Sequence, residues 1–273
     1  MQIIADFVFF LYFCTPLKNR GNIFMLHKFD FYYPVADENR TIHLYLPDGY
    51  ESSDERYPVI YMFDGHNLFN DEDATYGKSW GIRRFLDGWP KKVIVVGMEC
   101  SHTGNERLRE YSPYNFRSGR FGTIDGIGEE TMQWIVNEVK PYIDSHFRTW
   151  SHREATAIGG SSMGGSMSLY AILRYNDIFS KAACVSPAVG FSMPQFKREM
   201  RKAQLHPDTR IFLSWGTDEW KRSDAVMTKR ILLLEGMAME KGASTWLYHQ
   251  QGGRHCEADW EVQVPTWMHF LWL

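Results

Sequence analysis

The chain has 273 residues, 44% of them hydrophobic and 23% charged, with a formal net charge of −3. That length suits one large α/β domain or two small ones and can bury a substantial core. The near-neutral balance, with basic residues scattered, excludes the concentrated basic face that a nucleic-acid partner needs, and no low-complexity tract, heptad run or fixed-period repeat is present.

At the N-terminus, Ile3 to Phe13 is mostly apolar but too short to span a bilayer as a helix. A secretory signal needs a positive segment before its apolar stretch, and here Asp6 is the only charged side chain before Lys18. Residues 1–24 are therefore expected to be a poorly packed extension or the product of too early a start codon, and no membrane partner is expected. The domain is expected to occupy residues 25–273.

Residues 41–46 (TIHLYL) alternate as a strand does and end at the turn signal Pro47-Asp48-Gly49. Residues 58–63 (PVIYMF) and 93–98 (VIVVGM) are nearly continuous apolar runs, as in strands buried on both faces. Met132, Ile135, Val136, Val139 and Ile143 recur at spacings of three and four, which predicts a helix over 129–144. A short apolar piece, Ala155 to Ile158, precedes a Gly/Ser cluster and a helix from about Ser166 to Arg174. Residues 181–185, 210–215 and 245–249 read as further strands, with a helix over 224–241 before the last. The stretch 186–206 reads either as part of a lid or as a surface helix. Strands alternating with helices predict a mainly parallel sheet covered on both faces, and no linker divides it.

The segment Gly159-Gly160-Ser161-Ser162-Met163-Gly164-Gly165 contains G-x-S-x-G. By residue frequency alone that pattern arises in roughly one chain of this size in ten. Here it follows a strand and opens a helix, which is the setting of a nucleophile elbow. A phosphate-binding turn would call instead for G-x-G-x-x-G or a Walker lysine, and neither is present. Ser162 is the candidate nucleophile.

In this arrangement the acid and the histidine follow the serine in that order, in loops after later strands. The strand at 210–215 ends in Gly216-Thr217-Asp218-Glu219, so Asp218 and Glu219 are both candidate acids. The strand at 245–249 leads to Gly252-Gly253-Arg254-His255, so His255 is the candidate general base. The oxyanion donors are expected to be the backbone N–H groups of Met163 and of His66, the latter in the loop Asp64-Gly65-His66-Asn67, where Gly65 permits close backbone approach. The Asn67 side chain faces the cleft or braces the loop. Among the abundant aromatics, Trp80, Trp220 and Trp260 stand beside these motifs as candidate substrate contacts.

Cys14, Cys100, Cys184 and Cys256 match neither a zinc pattern nor a disulfide framework and read as reduced thiols of a cytoplasmic protein. No metal or other cofactor is expected.

These residues resemble the esterase family that includes esterase D, carbohydrate esterase family 1 and the enterochelin esterases. Residues 61–69 (YMFDGHNLF) look like its strand-to-oxyanion segment, with His66 in place of the usual glutamine. Residues 109–113 (REYSP) and 159–165 (GGSSMGG) also match, as do 216–219, which fit a Gly-Thr-x-Asp/Glu acid pattern. Residues 252–260 (GGRHCEADW) resemble its Gly-Gly-x-His-x-x-x-x-Trp ending. The resemblance runs from about Met25 to the C-terminus. It implies the α/β-hydrolase fold, a Ser162–His255–Glu219 triad with Glu219 rather than Asp218 as the acid, and an acyl-enzyme intermediate. It also implies a small-molecule or oligosaccharide ester as substrate. Two alternatives share the scaffold: an acyltransferase, and a binding protein without catalysis.

Overall fold

The computed structural model describes residues 26–219 and 224–273. The N-terminal extension and Trp220 lie outside the described residues.

The strands are β1 (Leu26–Tyr33), β2 (Glu38–Tyr45), β3 (Val59–Phe63), β4 (Ile94–Met98), β5 (Phe116–Ser118), β6 (Gly122–Ile124), β7 (Thr156–Ser161), β8 (Lys181–Val185), β9 (Arg210–Gly216) and β10 (Ser244–Gln250). The helices are α1 (Ile82–Asp87), α2 (Glu106–Glu110), α3 (Gly128–Trp134), α4 (Lys140–His146), α5 (Met163–Arg174), α6 (Met193–Lys202), α7 (Asp224–Met239), α8 (Glu257–Glu261) and α9 (Val264–Trp272). Eight strands form one sheet in the order β1-β2-β4-β3-β7-β8-β9-β10, while β5 and β6 make a separate hairpin. β1 pairs antiparallel with β2, and β2 antiparallel with β4; every later pairing is parallel. This is the α/β-hydrolase architecture.

Burial follows position in the sheet. The central strands β3, β4, β7 and β8 are buried at every residue, which explains their unbroken apolar sequences. The edge strand β10 shows no buried residue, and its composition is correspondingly mixed. One core lies between the sheet and α3, α4, α5, α6 and α7, with Ile158, Met167, Ile172 and Phe196 at its centre. The opposite face packs Phe212 and Ala183 against Trp80, Ile82 and Trp267 from the α1 and α9 side.

The helix expected over 129–144 is broken into α3, a π-helical turn at 135–139, and α4. Pro141 sits at the start of α4 and has no N–H to donate to the preceding turn. Its ring would also press on a carbonyl one turn back, and the wider π turn relieves both demands. Residues 193–202 are a surface helix rather than a lid. Phe196 and Met200 of α6 are buried in the core, so this segment is held on the body of the protein. Among the described residues, no helix is long and apolar enough to cross a membrane.

Candidate active site

The loops that follow the carboxyl ends of β3, β4, β7 and β10 meet in a cleft of about 470 Å³. Parallel sheets present ligands at this end, where loops from neighbouring strands converge. Its lining includes Ser162, His255, His66, Asn67 and Trp260 together with Asp64, Arg107 and Glu257.

Ser162 stands between β7 and α5 with φ 57° and ψ −118°, a conformation an L-residue adopts only under constraint. The constraint is visible. Its N–H donates to the Val185 carbonyl at 3.0 Å, while its own carbonyl accepts from Ala188 N–H at 2.9 Å and Ser166 N–H at 3.1 Å. A Cβ on Gly160 would lie 2.9 Å from the Gly164 carbonyl carbon and 3.0 Å from Phe63 Cβ, so strand and helix can close on each other only with glycine there. Met163 is the first residue of α5, so its N–H has no acceptor within the helix.

His255 Nδ1 lies 3.1 Å from Glu219 Oε2. The Glu219 side chain is 2% exposed and that of His255 21%. The other Glu219 oxygen accepts from Gly216 N–H at 2.7 Å and from the Ser186 hydroxyl at 2.5 Å. Ser186 in turn accepts from Trp260 Nε1–H at 3.0 Å, and Trp260 sets its ring edge-on to His255, with centroids 5.0 Å apart. Ser186 itself carries a positive φ of 45°. Asp218 faces solvent, its backbone N–H donating to the Gly253 carbonyl.

On the opposite wall, His66 is buried in a short 3₁₀ turn at 65–67, entered through Asp64 in the left-handed region (φ 59°). The turn's own bonds come from the Asn67 and Leu68 N–H groups. A Cβ on Gly65 would lie 2.5 Å from the Gly97 carbonyl carbon, so that glycine lets the turn pack on β4 rather than on a ligand. Asn67 is anchored at both ends: Oδ1 accepts from Thr75 N–H at 3.0 Å, and Nδ2 donates to Glu257 Oε1 at 3.5 Å.

Burial pushes the Asp64 carboxyl toward protonation, but the charge of Arg107 and its two hydrogen bonds of 2.7 Å outweigh that and hold it below the usual range. Glu257 makes no such ion pair among the described residues. Burial raises its carboxyl above the ordinary glutamate value, and the nearby Asp64 charge adds to the rise. Burial lowers the His66 imidazole. Glu99, just beyond β4, is pushed up by burial but ends below its ordinary value because His43 donates to it.

Trp80 requires a correction. It is 2% exposed and packs against Trp260 and Trp267, with ring centroids 5.8 and 6.5 Å away, behind the cleft rather than in it. Its position in the sequence placed it beside the oxyanion loop, but the indole turns into the core under α9. Several side chains in or against the cleft were not singled out in the sequence, among them Arg107, Ser186, Glu257 and His102. Glu257 lies two positions after His255, and Ser186 immediately follows a strand; these were the available signals.

The family model described as "Putative esterase" matches residues 34–270. The chain belongs to that family. This esterase is 26% identical over 210 residues to the uncharacterized protein YbbA of Bacillus subtilis, covering 75% of this chain and 80% of YbbA. It is 30% identical over 207 residues to an endo-1,4-beta-xylanase/feruloyl esterase of Xylanibacter ruminicola, covering 74% of this chain but only 25% of that longer protein. Among solved structures, an IroE-like serine hydrolase from Shewanella oneidensis superposes with a TM-score of 0.72 at 19% identity, covering 89% of this esterase and 78% of that chain. The activity class of the esterase is carboxylic ester hydrolysis.

Proposed function

We propose that Ser162, His255 and Glu219 hydrolyse a small acyl ester through an acyl-enzyme. The observation that carries this reading is a serine in strained geometry at a strand-to-helix turn, sharing one cleft with an imidazole held by a buried carboxylate. Glu219 accepts the Nδ1 proton of His255, which fixes the tautomer and leaves Nε2 as the basic nitrogen. His255 takes the Ser162 proton as Oγ bonds to the ester carbonyl carbon. The resulting oxyanion is met by the N–H groups of Met163 and His66. Collapse breaks the bond to the alcohol oxygen, which leaves with the proton from His255. Water then attacks the acyl-serine, giving its proton to His255. The carboxylic acid departs, and His255 returns that proton to Ser162.

The lining bears on the substrate. Asn67, His102, Arg107 and Glu257 make much of the cleft polar, with Tyr76 and Trp260 as aromatic surface. Such walls suit a short acyl group on a hydroxyl-rich, carbohydrate-linked alcohol better than a long acyl chain. The feruloyl esterase in the name of the Xylanibacter relative is in keeping with this. A reducing cytoplasmic setting belongs to the same reading, since Cys100, Cys184 and Cys256 are all free.

The test is hydrolysis of p-nitrophenyl acetate, followed by acetylated xylo-oligosaccharides, methyl ferulate and S-formylglutathione. Ser162→Ala should lower kcat by on the order of 10⁴-fold or more, and a fluorophosphonate probe should label wild type at Ser162 alone. Equal rates for both proteins would end the assignment.

A further inference from the structure

We propose that His66, Glu99 and His102 form a site for a divalent transition-metal ion of the zinc class on the wall of the cleft. One ligand atom from each of the three lies within 4.8 Å of the other two. The sheet brings them together. β3 and β4 are parallel neighbours with Phe63 opposite Met98, so the residues just past their ends project from the same edge. His66 follows β3 by three positions, Glu99 follows β4 directly, and His102 comes three residues later.

A second observation points independently to a ligand. His66 is 5% exposed, and its Nδ1 is buried with no hydrogen-bond partner among the described residues. Its other nitrogen, Nε2, is engaged by Thr75 Oγ1 at 2.9 Å. A buried ring nitrogen left unpaired forfeits its hydration with nothing in return, and such groups call for an explanation. When Nε2–H donates to Thr75, Nδ1 presents a bare lone pair, which is what a metal ion requires.

The surroundings fit a metal ligand set. Glu99 Oε1 is held by His43 Nε2 at 2.6 Å, the kind of outer contact that orients a ligating carboxylate. Its Oε2 faces His102 Nε2 at 3.5 Å. The His66 and His102 rings stand 4.5 Å apart at 69°. Two imidazoles and one carboxylate favour zinc-like ions over calcium or magnesium, which prefer oxygen ligands throughout. The His102 side chain is 56% exposed, so an ion has a way in from solvent. Three protein ligands leave a fourth position on an ion bordering the cleft, for water or an oxygen of the bound ester. No sequence motif announces this site, because its members come from two loops.

Tag-free, chelator-treated protein is titrated with Zn²⁺ by calorimetry and with Co²⁺ by visible absorption. Wild type should bind one equivalent of zinc and give the ligand-field bands of four-coordinate cobalt. His102→Ala, at an exposed position, should weaken zinc binding by on the order of 100-fold, as should Glu99→Gln, and both should lose the cobalt bands. His249→Ala, at a surface histidine outside the cleft, should bind as wild type does. Ser162→Ala should also bind fully, so the metal site and the esterase reading fail separately. Absence of stoichiometric binding in wild type, or unchanged binding in His102→Ala, overturns the proposal.

Discussion

At the scale of single residues, two adjacent carboxylates have opposite surroundings. Glu219 is buried and accepts from Gly216, Ser186 and His255 at once, whereas Asp218 is exposed and accepts from the hydroxyl of its neighbour Thr217. Glu219→Gln keeps the shape but places an amide against His255, favouring the wrong tautomer. It should lower kcat on p-nitrophenyl acetate by on the order of 10³–10⁴-fold, with KM little changed. Asp218→Asn should stay within about twofold of wild type, as substitutions at exposed positions usually do. A large loss in Asp218→Asn with full activity in Glu219→Gln would exchange their roles. Ser186 belongs to the same chain of contacts, since its hydroxyl accepts a hydrogen bond from the Trp260 indole N–H and donates one to Glu219.

At the scale of elements, the helix bearing the nucleophile is tied down at its far end by one carboxylate. Glu129 of α3 accepts from Tyr170 near the end of α5 at 2.5 Å, from Tyr175 just past it at 2.8 Å, and from Gln133 at 3.1 Å. Burial raises the Glu129 carboxyl, but these donors outweigh it and leave it below the ordinary glutamate value. A carboxyl whose folded value is depressed contributes stability that is fully present above its unfolded value and is lost as pH falls through the folded one. Glu129→Gln should therefore cost about 1 kcal/mol at pH 7, given that the group is only partly buried. The difference in urea midpoint between variant and wild type should shrink as pH drops below the unfolded value. A difference independent of pH would remove the charge from the explanation. Most of the elements themselves were legible. The central strands are written as apolar runs, and the elbow has glycines where strand and helix touch. β1 was not read as a strand, although its exposed Lys28 and Asp30 alternate with the inward Phe29, Phe31 and Tyr33 as an edge strand's residues do. α9 was missed because its Trp- and Phe-rich sequence has no run of strong helix formers. The nucleophile and the His255 loop could be read because each follows a strand directly. Contacts such as Asn67 with Glu257, separated by 190 positions, exist only once the sheet has formed.

For the molecule as a whole, the two faces of the sheet divide the work of holding the site. One face packs α5 and so fixes Ser162. The other carries a layer of indoles, Trp267 against Trp80 and Trp80 against Trp260, which reaches His255 by ring contact and Glu219 through Ser186. Trp80 is thus a support for the acid and base loops, and its replacement should show up in stability and kcat more than in substrate affinity. Trp80→Ala removes a fully packed indole and should cost about 3–5 kcal/mol in urea unfolding. Trp80→Phe retains part of the ring and should cost less, leaving a folded enzyme whose kinetics can be measured. In that variant kcat for p-nitrophenyl acetate should fall by a larger factor than KM changes, because the displaced Trp260 holds His255 and Ser186 as well as lining the cleft. A rise in KM with unchanged kcat and unchanged unfolding midpoint would return Trp80 to the cleft wall and leave the acid and base loops supported by something other than this indole layer.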